Sequence, residues 1–439
     1  MALGGGTFLT QNKVLPGAYI NFISTAAASA ALADRGTALL ALPLPWGPEC
    51  TVFSVEAGEF QKNSLQYFGS AYTADALQPV REVFCHAQTV CFFNLRSGGT
   101  AASCDFCTAA YPGARGNDLW IAVLSNAAST DEAPLYDVET YMDSTLVDEQ
   151  TGVSSAEELE DSDFVLWTDS ATLALTAKTQ LSGGADGTVE DANYQTCLDQ
   201  AESRSFNALG CDTDDEIIKA LFAAWAERMR DEVGKKMQVV LYDYPEADYE
   251  GVVSVCNDLA DGTAGTALVP WVTGVIAGTA VNASATNMVY DGELEIDAGF
   301  TQSELEEAVA AGSFTFHQVD DEVRVLTDIN TFVSVTDEKS ADFSSNQVIR
   351  VLDQIANDIA TIFCTKYIGK VQNDAGGRIS LWNDIVKHQQ QLQDIRAIED
   401  FESGDVTVEP GDTKKSVVVT DCVTPVAAME QLYMTVYVS

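Results

Sequence analysis

At 439 residues the chain is longer than a single hydrophobic core organises, so two to four domains are expected. Its 46% hydrophobic, 20% charged and 9% aromatic residues match folded protein and exclude a disordered or fibrous chain. The 66 acidic against 23 basic residues give a formal net charge of -43, which excludes nucleic acid and anionic membrane as partners because both need a basic surface.

The opening MALGGGTFLT is too glycine-rich to nucleate a helix, and it leads past the turn at Pro16-Gly17 into a strand-like stretch at 18–23. The alanine-rich segment that follows is interrupted upstream by Pro16, Gly17 and Asn21 and is not expected to be a secretion signal. A buried-type run at 38–44, a helical pattern at 60–68 and an apolar stretch at 80–93 then alternate in the manner of an α/β sheet. From 101 to 182 the pattern shortens to alternating segments at 119–124, 163–167 and 172–177 between polar turns, which predicts a β-sandwich. Residues 131–170 carry thirteen carboxylates and no lysine or arginine, so this domain is expected to face outward into solvent.

The clearest helix is 215–233, with Ile218, Leu221, Phe222, Trp225 and Met229 on one face, Asp212-Thr213-Asp214 before it and Gly234 after it. Strands at 237–242 and 252–256 and the apolar 269–277 continue the alternation, predicting a mostly parallel sheet covered on both faces. The run 267–281 falls short of a membrane span and is broken by Pro270 and two glycines. Thr301 and Glu304 form a capping box for a helix closed by Gly312, and 314–319 with 323–326 read as a hairpin across Asp320-Asp321. Two long helices, 346–368 and 379–400, are separated by Asp374-Ala375-Gly376-Gly377, and strands at 416–423 and 431–438 end the chain.

Catalytic and cofactor signatures are lacking. Neither G-x-x-x-x-G-K-[ST] nor G-x-G-x-x-G occurs, no G-x-S-x-G elbow is present, and the histidines are His86, His317 and His388. Abundant carboxylates carry no information about acid/base catalysis without an enclosed site. Ten scattered cysteines lack the spacing of a disulfide framework and read as reduced intracellular thiols. Cys85, His86, Cys91, Cys104 and Cys107 offer a tetrahedral zinc site on one reading and small buried hydrophobes on the other, with only Cys104 and Cys107 at C-x-x-C spacing.

Charge is unevenly spread. Residues 1–338 hold 14 basic and 52 acidic groups, whereas 339–415 hold 9 and 12. Lys366, Lys370, Arg378, Lys387 and Arg396 form a basic island that reads either as the solvated faces of two helices or as a surface for an acidic partner. Strand-like segments at both termini are an aggregation liability unless they pair with another chain, as strand addition to neighbouring subunits would allow. On the last strand Leu432, Met434, Val436 and Val438 share one face and Tyr433, Thr435 and Tyr437 the other.

The segments GGTFLTQNKVLPGAYINF near the start, YPGARGNDL (111–119), LSGGADG (181–187), PWVTGVIAGTAVNASATNMVYDG (270–292), RVLTDINTF (324–332), NQVIRVLDQIANDI (346–359) and the terminal VVVTDCVTPVAAMEQLYMTVYV resemble, in order and placement, the contractile tail sheath proteins of phages and phage-tail-like bacteriocins of Gram-positive bacteria. The resemblance implies a non-enzymatic structural protein without a cofactor. It would form a helical homopolymer of stacked rings around a tail tube, with baseplate and tail terminator proteins as further partners. Assembly is expected in the bacterial host cytoplasm, as part of a virion tail or phage-tail-like particle, without nucleic acid or membrane insertion.

The implied fold is a multidomain α/β and α+β protein. An N-terminal arm (1–25) precedes a subtilisin-like α/β core without catalytic residues (26–95 with 183–335), an inserted outer β-sandwich (96–182), and a C-terminal α+β tube-proximal domain (336–439) with exchanged terminal strands. Val14, Leu15, Tyr19, Ile20 and Phe22 would join Leu432, Met434, Val436 and Val438 in strand exchange, and the five basic residues would face the tube. Two other classes stay open: a degenerate α/β hydrolase, and a different self-assembling lattice such as a surface layer.

Overall fold

The computed structural model describes residues 32–438, so the arm residues Val14, Leu15, Tyr19, Ile20 and Phe22 lie outside the described residues. Its centre is a seven-stranded sheet in the order Ser313–Phe314, Val252–Val255, Gln238–Tyr242, Ala208–Cys211, Thr37–Leu42, Thr89–Asn94, Val52–Glu56. Every neighbouring pair is parallel except Val52–Glu56, which runs antiparallel to Thr89–Asn94. The strand Thr37–Leu42 is apolar at nearly every position because both of its faces are covered. Ala38, Leu40 and Leu42 point into a core completed by helices α1 (Ala57–Phe68), α2 (Gln78–Phe84) and α5 (Val269–Gly278), while Leu39 and Ala41 point to α3 (Asp191–Ala201) and α4 (Glu216–Glu227).

Glycines let α5 approach its neighbours. A Cβ on Gly274 would fall far inside contact distance of the Val83 carbonyl in α2, and one on Gly278 inside that of His86. A backbone oxygen cannot swing aside as a side chain can. Gly274→Ala is therefore expected to lower stability by about 1–3 kcal/mol, although alanine favours an isolated helix by about 1 kcal/mol. Denaturant midpoints of the two proteins measure the sign, and an equal or higher midpoint for the variant would show that α2 and α5 separate without cost.

Between Asn94 and α3 the chain builds a second core. An antiparallel sheet in the order Thr176–Gln180, Leu119–Ser125, Tyr136–Met142, Thr145–Val153 faces the short pair Cys107–Ala109 and Val165–Trp167. The expected strand at 172–177 begins only at Thr176. Trp46 of the parallel-sheet unit is fully buried in this second core, edge-on to Tyr111 at 5.3 Å and stacked on Phe164 at 6.3 Å. Arg115 fastens the same joint, donating to the Gly69 carbonyl at 2.6 Å and forming ion pairs with Asp118 at 2.6 Å and Asp143 at 2.5 Å.

Asp215, the residue after the Asp212-Thr213-Asp214 segment, caps α4 by accepting from the amides of Ile217 and Ile218, so the helix begins one residue later than expected. The helix ends in a π-helical turn, Arg228–Val233, closed by left-handed Gly234. The Thr301–Glu304 capping box opens α6 (Gln302–Ala310), and Phe316–Val319 pairs with Glu322–Val325 as a hairpin.

The C-terminal helices are α7 (Asn346–Ile362) and α8 (Ala375–Asp394). Gly376 and Gly377, read from the sequence as part of a linker, instead belong to the first turn of α8. Asp374 caps that turn by accepting from the Gly377 amide at 2.8 Å, and the first turn of a helix tolerates glycine where the interior would not. Helix α8 stops at Asp394, short of the expected residue 400. Both helices pack with the hairpin Val406–Pro410 and Val417–Asp421 around Leu381, Ile385, Leu392 and Val406. The expected strand at 431–438 has no ladder: 426–438 carry no regular structure, and no strand among the described residues pairs with them.

Candidate functional site

Terminal residues 431–438 leave the folded body from a defined anchor. Val426 donates its amide to the Ala397 carbonyl at 3.0 Å, and Ala428 donates to Oε1 of Gln347 at 2.9 Å. The Glu430 carboxylate then accepts from the hydroxyls of Thr286 at 2.6 Å and Thr327 at 3.0 Å. Beyond Glu430 the exposures are Leu432 86%, Met434 74%, Val436 69% and Val438 93%, with Tyr433 at 88% and Tyr437 at 91%. Both faces of the arm are bare. This is an exposed, alternating apolar segment of the kind that strand addition covers.

The five basic residues do not form one surface. Lys366 pairs with Asp384 at 3.2 Å, and Lys370 donates to the Thr365 carbonyl at 2.5 Å. Arg378 donates to the side-chain and backbone oxygens of Asn373. Lys387 is exposed but nine residues along α8 from Arg378, which places it roughly 13 Å away and on the opposite face of the helix. Arg396 lies past the end of α8, in a left-handed backbone conformation.

What Arg378 does join is a cavity of about 430 Å³ lined by Phe363, Tyr367, Ile368, Leu381 and Val417, with Lys414 and Lys415 from the hairpin turn on its wall. The sequence reading missed these two lysines. Their signal was the adjacent Lys-Lys at a turn between two β-rich segments, beginning five residues after Glu409.

The cysteine–histidine cluster is dispersed. Cys85 and His86 follow α2, with His86 held by Asp291 at 3.1 Å and edge-on to Trp271. Cys91 lies in the central sheet beside Ser54. Cys104 and Cys107 face each other at the root of the second core, their sulfurs 3.7 Å apart. Among the described residues no three potential ligands gather around a point that could hold a metal. The other two histidines are equally settled in packing. His317 stands in the hairpin strand, its pKa lowered by burial and then by Arg324. The fully buried His388 bonds Asp358 at 2.8 Å while its Nδ1 has no partner among the described residues, so none of these supplies the hydroxyl that a serine triad needs.

Four family descriptions match the chain in succession: tail sheath protein Gp18 domain III N-terminal region at 35–95, phage tail sheath protein β-sandwich domain at 97–186, phage tail sheath protein central domain at 187–331, and phage tail sheath C-terminal domain at 338–439. The phage-like element PBSX protein XkdK of Bacillus subtilis is 32% identical, the alignment covering 100% of each chain. The crystal structure of a sheath tail protein from Desulfitobacterium hafniense is 35% identical, covers 95% of this chain and 99% of its own, and superposes with a TM-score of 0.78. The helical sheath of the anti-feeding prophage in its contracted state shares the fold alone, at 13% identity over 97% of this chain and 99% of that one, with a TM-score of 0.56.

Proposed function

The chain belongs to the phage tail sheath protein family, and we propose that it is the structural subunit of a contractile sheath, polymerising helically around an inner tube and shortening to drive that tube through a cell envelope. The observation that carries the assembly half of this reading is the terminal arm. Among the described residues its backbone finds no ladder and its side chains stay exposed, yet Glu430 fixes the point from which it departs. Strand exchange satisfies both needs: Leu432, Met434, Val436 and Val438, together with the N-terminal residues Val14, Leu15, Tyr19, Ile20 and Phe22, pair with sheets in neighbouring subunits.

In the same reading 26–95 with 183–335 form a subtilisin-like girder without catalytic residues, 96–182 face outward, and 336–439 face the tube. Baseplate and terminator proteins bound the polymer at its two ends, and assembly takes place in the host cytoplasm. Co-expression with the tube protein of the same gene cluster, followed by electron microscopy, tests the proposal. Sheathed tubes are expected, and a monodisperse small oligomer under all conditions would overturn it.

The tube-facing surface is better centred on Arg378, Lys414 and Lys415 than on the five residues read from the sequence, although Lys366, Lys370, Lys387 and Arg396 remain candidates. Exposed ion pairs contribute about 0.2–1 kcal/mol each, so a single reversal would be hard to detect. The triple variant R378E/K414E/K415E is expected to release sheath from tubes at low salt, and raising ionic strength should weaken the parent similarly. Co-sedimentation reads both effects, and equal retention of variant and parent at every salt concentration rejects an electrostatic contact here.

A further inference from the structure

The C-x-x-C pair that no metal site absorbs has a geometry of its own. Cys104 and Cys107 are opposite positions of a two-residue hairpin turned by Asp105 and Phe106: Ser103 pairs with Thr108 across it, and the Cys104 amide donates to the Cys107 carbonyl at 2.9 Å. Opposed residues of an antiparallel ladder stand about 4.5–5.5 Å apart between Cα atoms, within the span of roughly 4.4–6.8 Å that disulfides require. The sulfurs are already in contact at 3.7 Å. Cys104 is partly exposed, whereas Cys107 is fully buried and paired with Trp167.

We propose that Cys104 and Cys107 form a reversible disulfide by exchange with low-molecular-weight disulfides, Cys104 acting as the attacking thiol and Cys107 as the resolving one. The environment divides the two roles. A hydrogen bond from the Cys107 thiol, opposed by burial and aided by the amides of Phe106 and Cys107, lowers Cys104 to about 6, while the same contact and burial push Cys107 up. A thiolate at Cys104 is therefore present at neutral pH, and the thiolate is the nucleophile.

The exchange balances in two steps. The Cys104 thiolate attacks one sulfur of glutathione disulfide, forming a mixed disulfide and releasing one glutathione thiolate. The Cys107 sulfur then displaces the second glutathione from Cys104, its proton passing to the departing thiolate. Two protein thiols are oxidised and one glutathione disulfide is reduced to two glutathione molecules. The crosslink would close a hairpin that ties the sandwich to its root, where Ser103 exchanges backbone hydrogen bonds with Ser182 and Ala102 packs within contact of Gly116 and Gly184.

The full-length protein, equilibrated in glutathione buffers from fully reduced to fully oxidised, quenched in acid and alkylated, tests this by peptide mass spectrometry. The peptide holding both residues is expected to lose two hydrogens in oxidised buffer and to regain them in reduced buffer. C107S should accumulate a stable glutathione adduct on Cys104, and C104S should leave Cys107 unmodified. Iodoacetamide at pH 7 should label Cys104 about two- to threefold faster than a cysteine in an unfolded peptide. In the wild-type protein, whose readout does not depend on the folding of either variant, two alkylated thiols in fully oxidised buffer, or separate glutathione adducts on both residues, would overturn the proposal.

Discussion

Chains ending at Glu430 are expected to fold as the parent does and to assemble no tubes. The truncation removes side chains that rest on nothing in the body, since Leu432 to Val438 are between 69% and 93% exposed wherever they are large and apolar. It keeps Glu430 and its bonds to Thr286 and Thr327, so the surface from which the arm departs stays intact. In a polymer the same residues matter far more. Fully burying an aliphatic or aromatic side chain contributes about 1.5–3 kcal/mol, against roughly 1–2 kcal/mol per residue for ordering the backbone.

The balance favours pairing only where a preformed sheet edge receives the strand and its main-chain groups are satisfied together. Each subunit of a sheath would lose such a contact at once, so the effect on polymer yield should be near total. Circular dichroism melting should shift by no more than about 2 °C, because a change that touches no core residue leaves stability within about 0.5 kcal/mol. Negative-stain microscopy reads assembly. Tubes of normal length from the truncated chain would sink strand exchange through the C-terminus.

The arm also shows where reading a sequence reaches its limit. Alternation identified the two faces of 431–438, but a strand exists only with a partner, and nothing among the described residues provides one. Local signals with local causes were legible: the both-faces apolar run at Thr37–Leu42, the capping box at Thr301 and the stop at Gly234 each rest on chemistry within a few residues. Gly376-Gly377 misled because glycine content outweighed the Asp374 cap two residues before it.

The basic island misled for another reason. Counting charge along a sequence ignores the 100° rotation per helical residue, which separates Arg378 from Lys387 and lets a distant turn bring Lys414 and Lys415 to the same cavity. The contact of Glu430 with Thr286 spans 144 residues and has no signature at either end. By contrast, the succession of sandwich, parallel sheet and helical C-terminal unit was visible as shifts in pattern length, because each layer arrangement demands its own periodicity.

Asp353→Ala is expected to be strongly destabilising at the junction between the parallel sheet and the C-terminal helices. Arg230, in the π-helical turn that ends α4, and Asp353, in α7, meet in a bidentate pair with both contacts at 2.7 Å, and a further bond of 2.7 Å runs from Arg230 to the Met237 carbonyl. The residues are 3% and 6% exposed. Burial opposes the Arg230 charge and Asp353 more than offsets it, so the guanidinium stays protonated whatever the solution pH in the physiological range.

Removing the carboxylate leaves that cation buried without a counter-charge, which costs about 3–5 kcal/mol, a large share of the roughly 5–15 kcal/mol that holds a folded protein together. The double variant R230M/D353L removes both charges and keeps apolar volume, and should recover most of the loss. Guanidinium denaturation followed by tryptophan fluorescence compares the three proteins, with Trp225 of α4 packed in the same cluster as Met229 and Met237. A single variant within about 1 kcal/mol of the parent would mean that water reaches the pair and that the other contacts of the junction, among them Arg350–Asp328 and Gln238–Asn346, hold the two units together.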